Sequence, residues 1–166
     1  MESRLKLFGH PIHPMLIVFP LGLLATSVVF DIVHLITNNG QWAQAAFFDI
    51  GAGIVGGLLA ALFGFLDWLN IPGGTRAKSV GLWHGGGNVV VVVLFLISFL
   101  LRLHNPSDPG VLPFLFSIVG AGLAAVTGWL GGELVDRLGV GVDEGANLDA
   151  PSSLSGRPVG TRPQPS

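Results

Sequence analysis

The stretch Gly9-His10-Pro11-Ile12-His13-Pro14 opens an apolar run that continues through Pro20 and Gly22 to Asp31 and His34. Two histidines, each followed by a proline, stand at the mouth of a segment long enough to cross a bilayer. A span needs about 20 mostly apolar residues to cross roughly 30 Å of hydrocarbon, and the run from about Ile12 to Ile36 meets that requirement. Pro20 is tolerated there as a kink, because neighbouring helices can satisfy the carbonyl that it frees.

Three further runs of the same kind follow. The second extends from about Ala43 to Leu69 and closes on Asp67-Trp68, the third from about Val80 to Leu103, and the fourth from about Val111 to Leu138. Thr37-Asn38-Asn39-Gly40, Ile71-Pro72-Gly73-Gly74 and Asn105-Pro106-Ser107-Asp108-Pro109-Gly110 separate them as turns. The composition agrees: among 166 residues, half are hydrophobic and 11% are charged, which suits a membrane protein and not a soluble globule. The fold class expected is all-α, an integral membrane bundle of four transmembrane helices occupying residues 1–142. The proline-, serine- and glycine-rich stretch 143–166 reads as a disordered tail.

Cysteine is absent, which removes disulfides, thiolate metal sites and cysteine nucleophiles together. A net charge of −2 without a basic stripe excludes nucleic acid as a partner. No phosphate loop, nucleophile elbow or metalloprotease motif occurs, so nothing points to an enzyme. Arg4, Lys6, Arg76, Lys78, Arg137, Arg157 and Arg162 fall on one side of a four-span arrangement and only Arg102 on the other. The positive-inside rule then puts both termini in the cytoplasm of a multi-pass inner (plasma) membrane protein. The first run follows Arg4 and Lys6 as a signal peptide would, but its length and the lack of a small-residue cleavage site mark it as a retained span.

Residues 18 apart on a helix return to one face about 27 Å away, close to the thickness of the membrane core. His13 and Asp31, Asp49 and Asp67, and His84 and Arg102 are each 18 apart, one pair on each of the first three spans. Polar groups in a bilayer turn toward the bundle interior, so two layers are expected. His13, Asp67 and His84 would meet near the cytoplasmic side, while Asp31, Asp49 and Arg102 would form a structural charge cluster near the outer side. Gly56, Ala60 and Gly64, and Gly120, Ala124, Gly128 and Gly132, are small-residue ridges that permit close helix approach, or a homodimer as readily as a tight monomer. The Val89–Val93 block is apolar all round and is expected to touch lipid.

First and third helices of a four-helix bundle are commonly diagonal, so His13 and His84 could ligate a haem b iron from opposite sides. Alternatively His13, His84 and Asp67 supply two imidazoles and a carboxylate to a non-haem metal ion, with His10 as a further ligand. Asn88, one turn after His84, and Glu133 stand near this layer. In a purely structural alternative no cofactor is bound: His10 and His13 cap the first helix, and His84 hydrogen-bonds Asp67. A small transporter or proton pathway through the same groups is the third alternative.

The paired His-Pro motif, with Pro20 and Gly22, Gly64-x-x-Asp67, His84 with Asn88, and Gly128-Trp129-Leu130-Gly131-Gly132-Glu133-Leu134-Val135 running into Gly139-Val140-Gly141-Val142, resembles a bacterial membrane family, domain-of-unknown-function 2231. The resemblance covers about residues 8 to 142. Where that family usually carries a tyrosine ahead of Gly-Val-Gly-Val, this chain reads Val135-Asp136-Arg137-Leu138. Some relatives are fused to a Rieske iron–sulfur domain, which implies a redox neighbourhood and a redox partner protein. On that footing the resemblance favours a redox-associated haem- or metal-binding module.

Overall fold

The computed structural model describes residues 1–157 and residue 159. Residues 158 and 160–166, including Arg162 and the end of the expected tail, lie outside the described residues. Four helical segments are long and apolar enough to cross a membrane: Ile12–Thr37, Gly40–Asn70, Arg76–Arg102 and Val111–Arg137. They correspond to the four expected runs, with the second and third starting three or four residues earlier than hydropathy alone suggests.

The first span is built of two pieces, α1 (Ile12–Leu16) and α2 (Val18–Thr37). The break at Ile17 has a local cause. Pro20 has no N–H to donate to the carbonyl four residues back, at Leu16, so the ladder is interrupted just ahead of it. The chain bridges the interruption with Ile17 N donating to His13 O at 3.2 Å and Leu21 N donating to Ile17 O at 3.1 Å. Asn38, at φ 50°, ends α2 in the left-handed conformation that asparagine tolerates.

Helix α3 (Gly40–Asn70) begins at Asn39, whose side chain accepts from Gln41 N, and α4 (Arg76–Arg102) at Thr75, whose side chain accepts from Lys78 N. These caps explain the early starts, since each satisfies an otherwise orphaned amide. Helix α5 (Val111–Gly132) continues into one π-helical turn, Glu133–Arg137. Going round the bundle, α2 packs on α3, α3 on α4, α4 on α5 and α5 on α2, so the first and third spans face each other across a diagonal. Leu24, Val28, Ile50, Ile54, Val91 and Phe95 form the buried core.

The outward faces are mostly apolar, as lipid contact requires. Val89, Val90 and Val93 are exposed, whereas Val91 turns into the core, so only part of the valine block is outward. Trp83 and Trp129 are exposed toward one end of the bundle and Trp42 toward the other, as expected of rings at the two membrane interfaces. Of the small-residue ridges, the one on α3 is fully used: an added Cβ at Gly56 would lie 3.0 Å from Phe19, one at Gly64 would lie 2.8 Å from the His13 ring, and Ala60 is buried. The ridge on α5 is used at Gly120, against Phe95, while Gly128 faces open space.

Ahead of α1 the chain forms a small antiparallel hairpin of β1 (Lys6–Leu7) and β2 (His10–Pro11), turned by Phe8 and Gly9 at φ 52° and 83°. That hairpin is clasped to the segment after α5. The Met1 amine donates to Gly139 O at 2.9 Å and Gly141 N donates to Met1 O at 2.8 Å. Lys6 pairs with both Glu2 and Asp143, and Glu144 N donates to Glu2. The described part of the stretch expected to be a disordered tail is thus a series of turns with a short 3-10 helix, Ser153–Ser155, lying against the hairpin.

Candidate functional site

The diagonal between the first and third spans is bridged at both ends. At the far end Arg102, the last residue of α4, is fully buried and makes a two-pronged ion pair with Asp31 of α2, both N–H···O distances being 2.7 Å. Ser98 Oγ accepts from Arg102 Nε at 3.2 Å, Ser117 Oγ lies 3.5 Å from the guanidinium, and Ser98 Oγ also donates to Pro113 O. A planar guanidinium meeting a carboxylate through two parallel bonds is the strongest form of such a pair, and it ties α2, α4 and α5 together. Asp49 does not join it. The carboxylate is half-buried on α3 and makes no hydrogen bond or ion pair among the described residues, so the charge cluster contains Asp31 and Arg102 alone.

At the end near the termini, the same diagonal brings together His13 of α1 and His84 of α4. Their ring centroids are 6.4 Å apart with the ring planes at 89°. The first and third spans run parallel, and both bridges join residues 71 apart in sequence, as the two 18-residue spacings require. His13 Nδ1 lies 2.8 Å from Ala60 O of α3, and His84 Nδ1 lies 2.8 Å from Thr127 O of α5. Because carbonyls only accept, both Nδ1 atoms carry the proton, and in a neutral ring this leaves the Nε2 atoms basic.

Helix geometry explains why these contacts form. Gly64 stands one turn after Ala60 on α3 and leaves room for the imidazole of His13, as Gly131 does on α5 for His84, where an added Cβ would come within 3.1 Å of the ring. His84 is further engaged. Asn88, one turn on, donates from Nδ2 to His84 Nε2 at 3.2 Å and accepts at Oδ1 from Thr127 Oγ1 at 2.8 Å. His84, Asn88 and Thr127 therefore close a ring of hydrogen bonds between α4 and α5. Asn88 belongs to the inner site, and Thr127 is the member that the sequence reading passed over.

The rest of the expected inner layer is placed elsewhere. Asp67 accepts from Ser3 Oγ at 2.6 Å, and Ser3 is itself buried, so this carboxylate fastens the N-terminal segment and makes no hydrogen bond to His84. His10 lies on β2 with Nε2 3.4 Å from Ser153 Oγ. Glu133 pairs with Arg76 at 2.6 Å. Among the described residues no group of three or more His, Asp or Glu side chains is close enough to hold a metal ion, so His13, His84, Asp67 and His10 do not assemble as one ligand set.

The profile of the predicted membrane protein family DUF2231 matches residues 9–144. The chain belongs to the DUF2231 family. The match runs from the first residue of the His-Pro motif to Glu144 in the clasp, so it takes in all four spans and both bridged ends of the diagonal. Neither the curated proteins nor the solved structures include a match to this DUF2231 chain.

Proposed function

We propose that this protein handles protons, as a small proton-pathway membrane protein with both termini cytoplasmic, in which His84 is the proton acceptor and His13 the group facing it. The observation that carries the reading is the closed ring of His84, Asn88 and Thr127 with a second imidazole 6.4 Å away. Two imidazoles this close in a low-dielectric interior cannot both become charged cheaply. The pair therefore offers room for one added proton at a time. An ionisable group within a membrane bundle is costly to keep unless it serves a pathway or a structural pair, and neither histidine is in an ion pair among the described residues.

The competing redox-associated reading, a haem or metal ion held between His13 and His84, needs Nε2 of His84 to leave Asn88 and receives no third side chain from Asp67. One preparation separates the two. Purified protein reconstituted in vesicles should dissipate an imposed pH gradient faster than empty vesicles, and His84→Gln should remove the difference. Equal rates for wild type and empty vesicles overturn the proposal. A Soret band or a stoichiometric metal in the purified protein decides for the cofactor.

A further inference from the structure

Protonating a histidine whose two ring nitrogens are both hydrogen-bonded normally strands a partner. In the neutral ring Nε2 accepts from Asn88 Nδ2, and once Nε2 carries a proton, two donors would face each other across that contact. The side chains around His84 are arranged so that this conflict can be relieved. Thr127 Oγ1 has one proton and two acceptors within reach, Asn88 Oδ1 at 2.8 Å and Ala124 O at 3.1 Å. A carboxamide has nearly the same shape when turned end for end, with acceptor and donor exchanged.

We infer that Asn88 and Thr127 form a reversible hydrogen-bond register that lets His84 bind and release one proton without leaving a donor or acceptor of the site unpaired. The inference rests on the proton-handling reading and names the device by which that site works. In the neutral register Thr127 Oγ1–H donates to Asn88 Oδ1, and Asn88 Nδ2–H donates to His84 Nε2. When a proton adds to Nε2, the Asn88 amide turns over. Nε2–H then donates to Oδ1, Nδ2–H donates to Thr127 Oγ1, and the hydroxyl proton swings to Ala124 O. His84 Nδ1–H donates to Thr127 O in both registers. One proton is gained, every contact uses atoms already adjacent, and the helices stay where they are.

The alternative to such a register is the loss of a partly buried hydrogen bond to a charged donor, a penalty that disfavours the added proton. The charged and titratable groups on the neighbouring elements leave this task to Asn88. His13 on α1 faces His84 edge-on with its Nδ1 bound to Ala60 O, Asp67 on α3 is bound to Ser3, and Glu133 beyond α5 is paired with Arg76. On α4 itself, Arg76 is in that pair and Lys78 lies over Trp68. Asn88 is thus a positioning residue for the proton on His84.

The test is nuclear magnetic resonance on detergent-solubilised full chain with 15N-labelled histidine and asparagine side chains. On acidification the His84 nitrogens should pass from the Nδ1–H tautomer to the imidazolium, and the Asn88 amide resonances should move with the same midpoint. Asn88→Asp, which offers an acceptor to both His84 and Thr127, should raise the imidazolium population at a fixed pH at least tenfold. Asn88→Leu, which offers none, should lower it. A His84 transition during which the Asn88 resonances stay fixed overturns the register, as does an unchanged imidazolium population in both variants. The wild-type titration settles the matter even where a variant fails to fold. A His84 ring that stays neutral throughout sinks the proton-handling reading itself, and so the two failures are distinguishable.

Discussion

Replacing Asp31 by asparagine tests the most consequential packing feature of the bundle. The substitution keeps the side-chain volume and removes the charge opposite Arg102, whose guanidinium is fully buried and receives both of its 2.7 Å contacts from that carboxylate. What remains to it is neutral: Ser98 Oγ at 3.2 Å and Ser117 Oγ at 3.5 Å. Breaking a buried ion pair by removing one partner costs about 3–5 kcal/mol in soluble proteins, and an unpaired arginine at the centre of a membrane helix costs about 2.5–3.5 kcal/mol. Arg102 ends α4, where some relief by snorkelling is available, so the expected loss is about 3 kcal/mol, roughly a hundredfold in the folding constant. Reversible unfolding in mixed micelles of increasing SDS content measures it. The double variant Asp31→Leu/Arg102→Met, which removes both charges, should recover most of the loss because no charge is left buried alone. An Asp31→Asn protein within about 1 kcal/mol of wild type, or a double variant as unstable as the sum of the singles, would refute the reasoning.

Further outcomes follow from the same geometry. Gly64→Ala drives a methyl group to within 2.8 Å of the His13 ring, so it should cost about 1–3 kcal/mol and abolish the His13–Ala60 hydrogen bond, seen as loss of the Nδ1–H signal. Gly128→Ala meets nothing within 4 Å and should leave the thermal midpoint unchanged or raise it slightly, since alanine is the better helix former. Lys78→Met removes the ammonium that sits 3.9 Å from the Trp68 ring and donates to Trp68 O at 2.7 Å; a loss of about 0.5–2 kcal/mol and altered tryptophan emission are expected. The terminal clasp should depend on pH. The Lys6 hydrogen bond, followed by that from Glu144, holds the Glu2 carboxyl below its ordinary range, and the bonds to Asp143 and then Glu2 hold the Lys6 ammonium above its own. Glu2 therefore contributes above the unfolded glutamate value and loses that contribution as pH falls through its lowered folded value. Lys6 contributes below the unfolded lysine value and loses its contribution as pH rises through its raised folded value. Amide exchange at Glu144, corrected for intrinsic rate, should be slowest between about pH 5 and 10; a flat profile would count against the clasp.

Much of this arrangement was legible in the chain. Hydropathy alone located four spans, and the equal 18-residue spacings on the first and third spans placed His13 against His84 and Asp31 against Arg102, because parallel helices facing each other across a diagonal keep one sequence offset along their length. The second span runs antiparallel to both, and its register sets Ala60 and Gly64 beside His13 in place of Asp67. Its carboxylates lie elsewhere: Asp49 stands apart from Arg102, and Asp67 accepts from Ser3. That contact could not be anticipated, because it depends on a two-stranded hairpin too short to register as a strand signal. Thr127 carried a weak signal, being a lone hydroxyl near the glycine ridge of α5, but its role depends on the rotation of α5 against α4, which is set by contacts such as Gly120 against Phe95 and Gly87 against Thr127. Period and composition gave the helices, while partners supplied from distant, irregular segments stayed hidden.

The clasp between the hairpin and the residues after α5 also orders events during biosynthesis. Gly139, Gly141, Asp143 and Glu144, which hold Met1, Glu2 and Lys6, leave the ribosome only after all four spans have been made. Residues 1–6 must therefore wait, unfastened, until the last span is out. Closure of the helical ring and fastening of the residues ahead of the hairpin are in this way made to coincide.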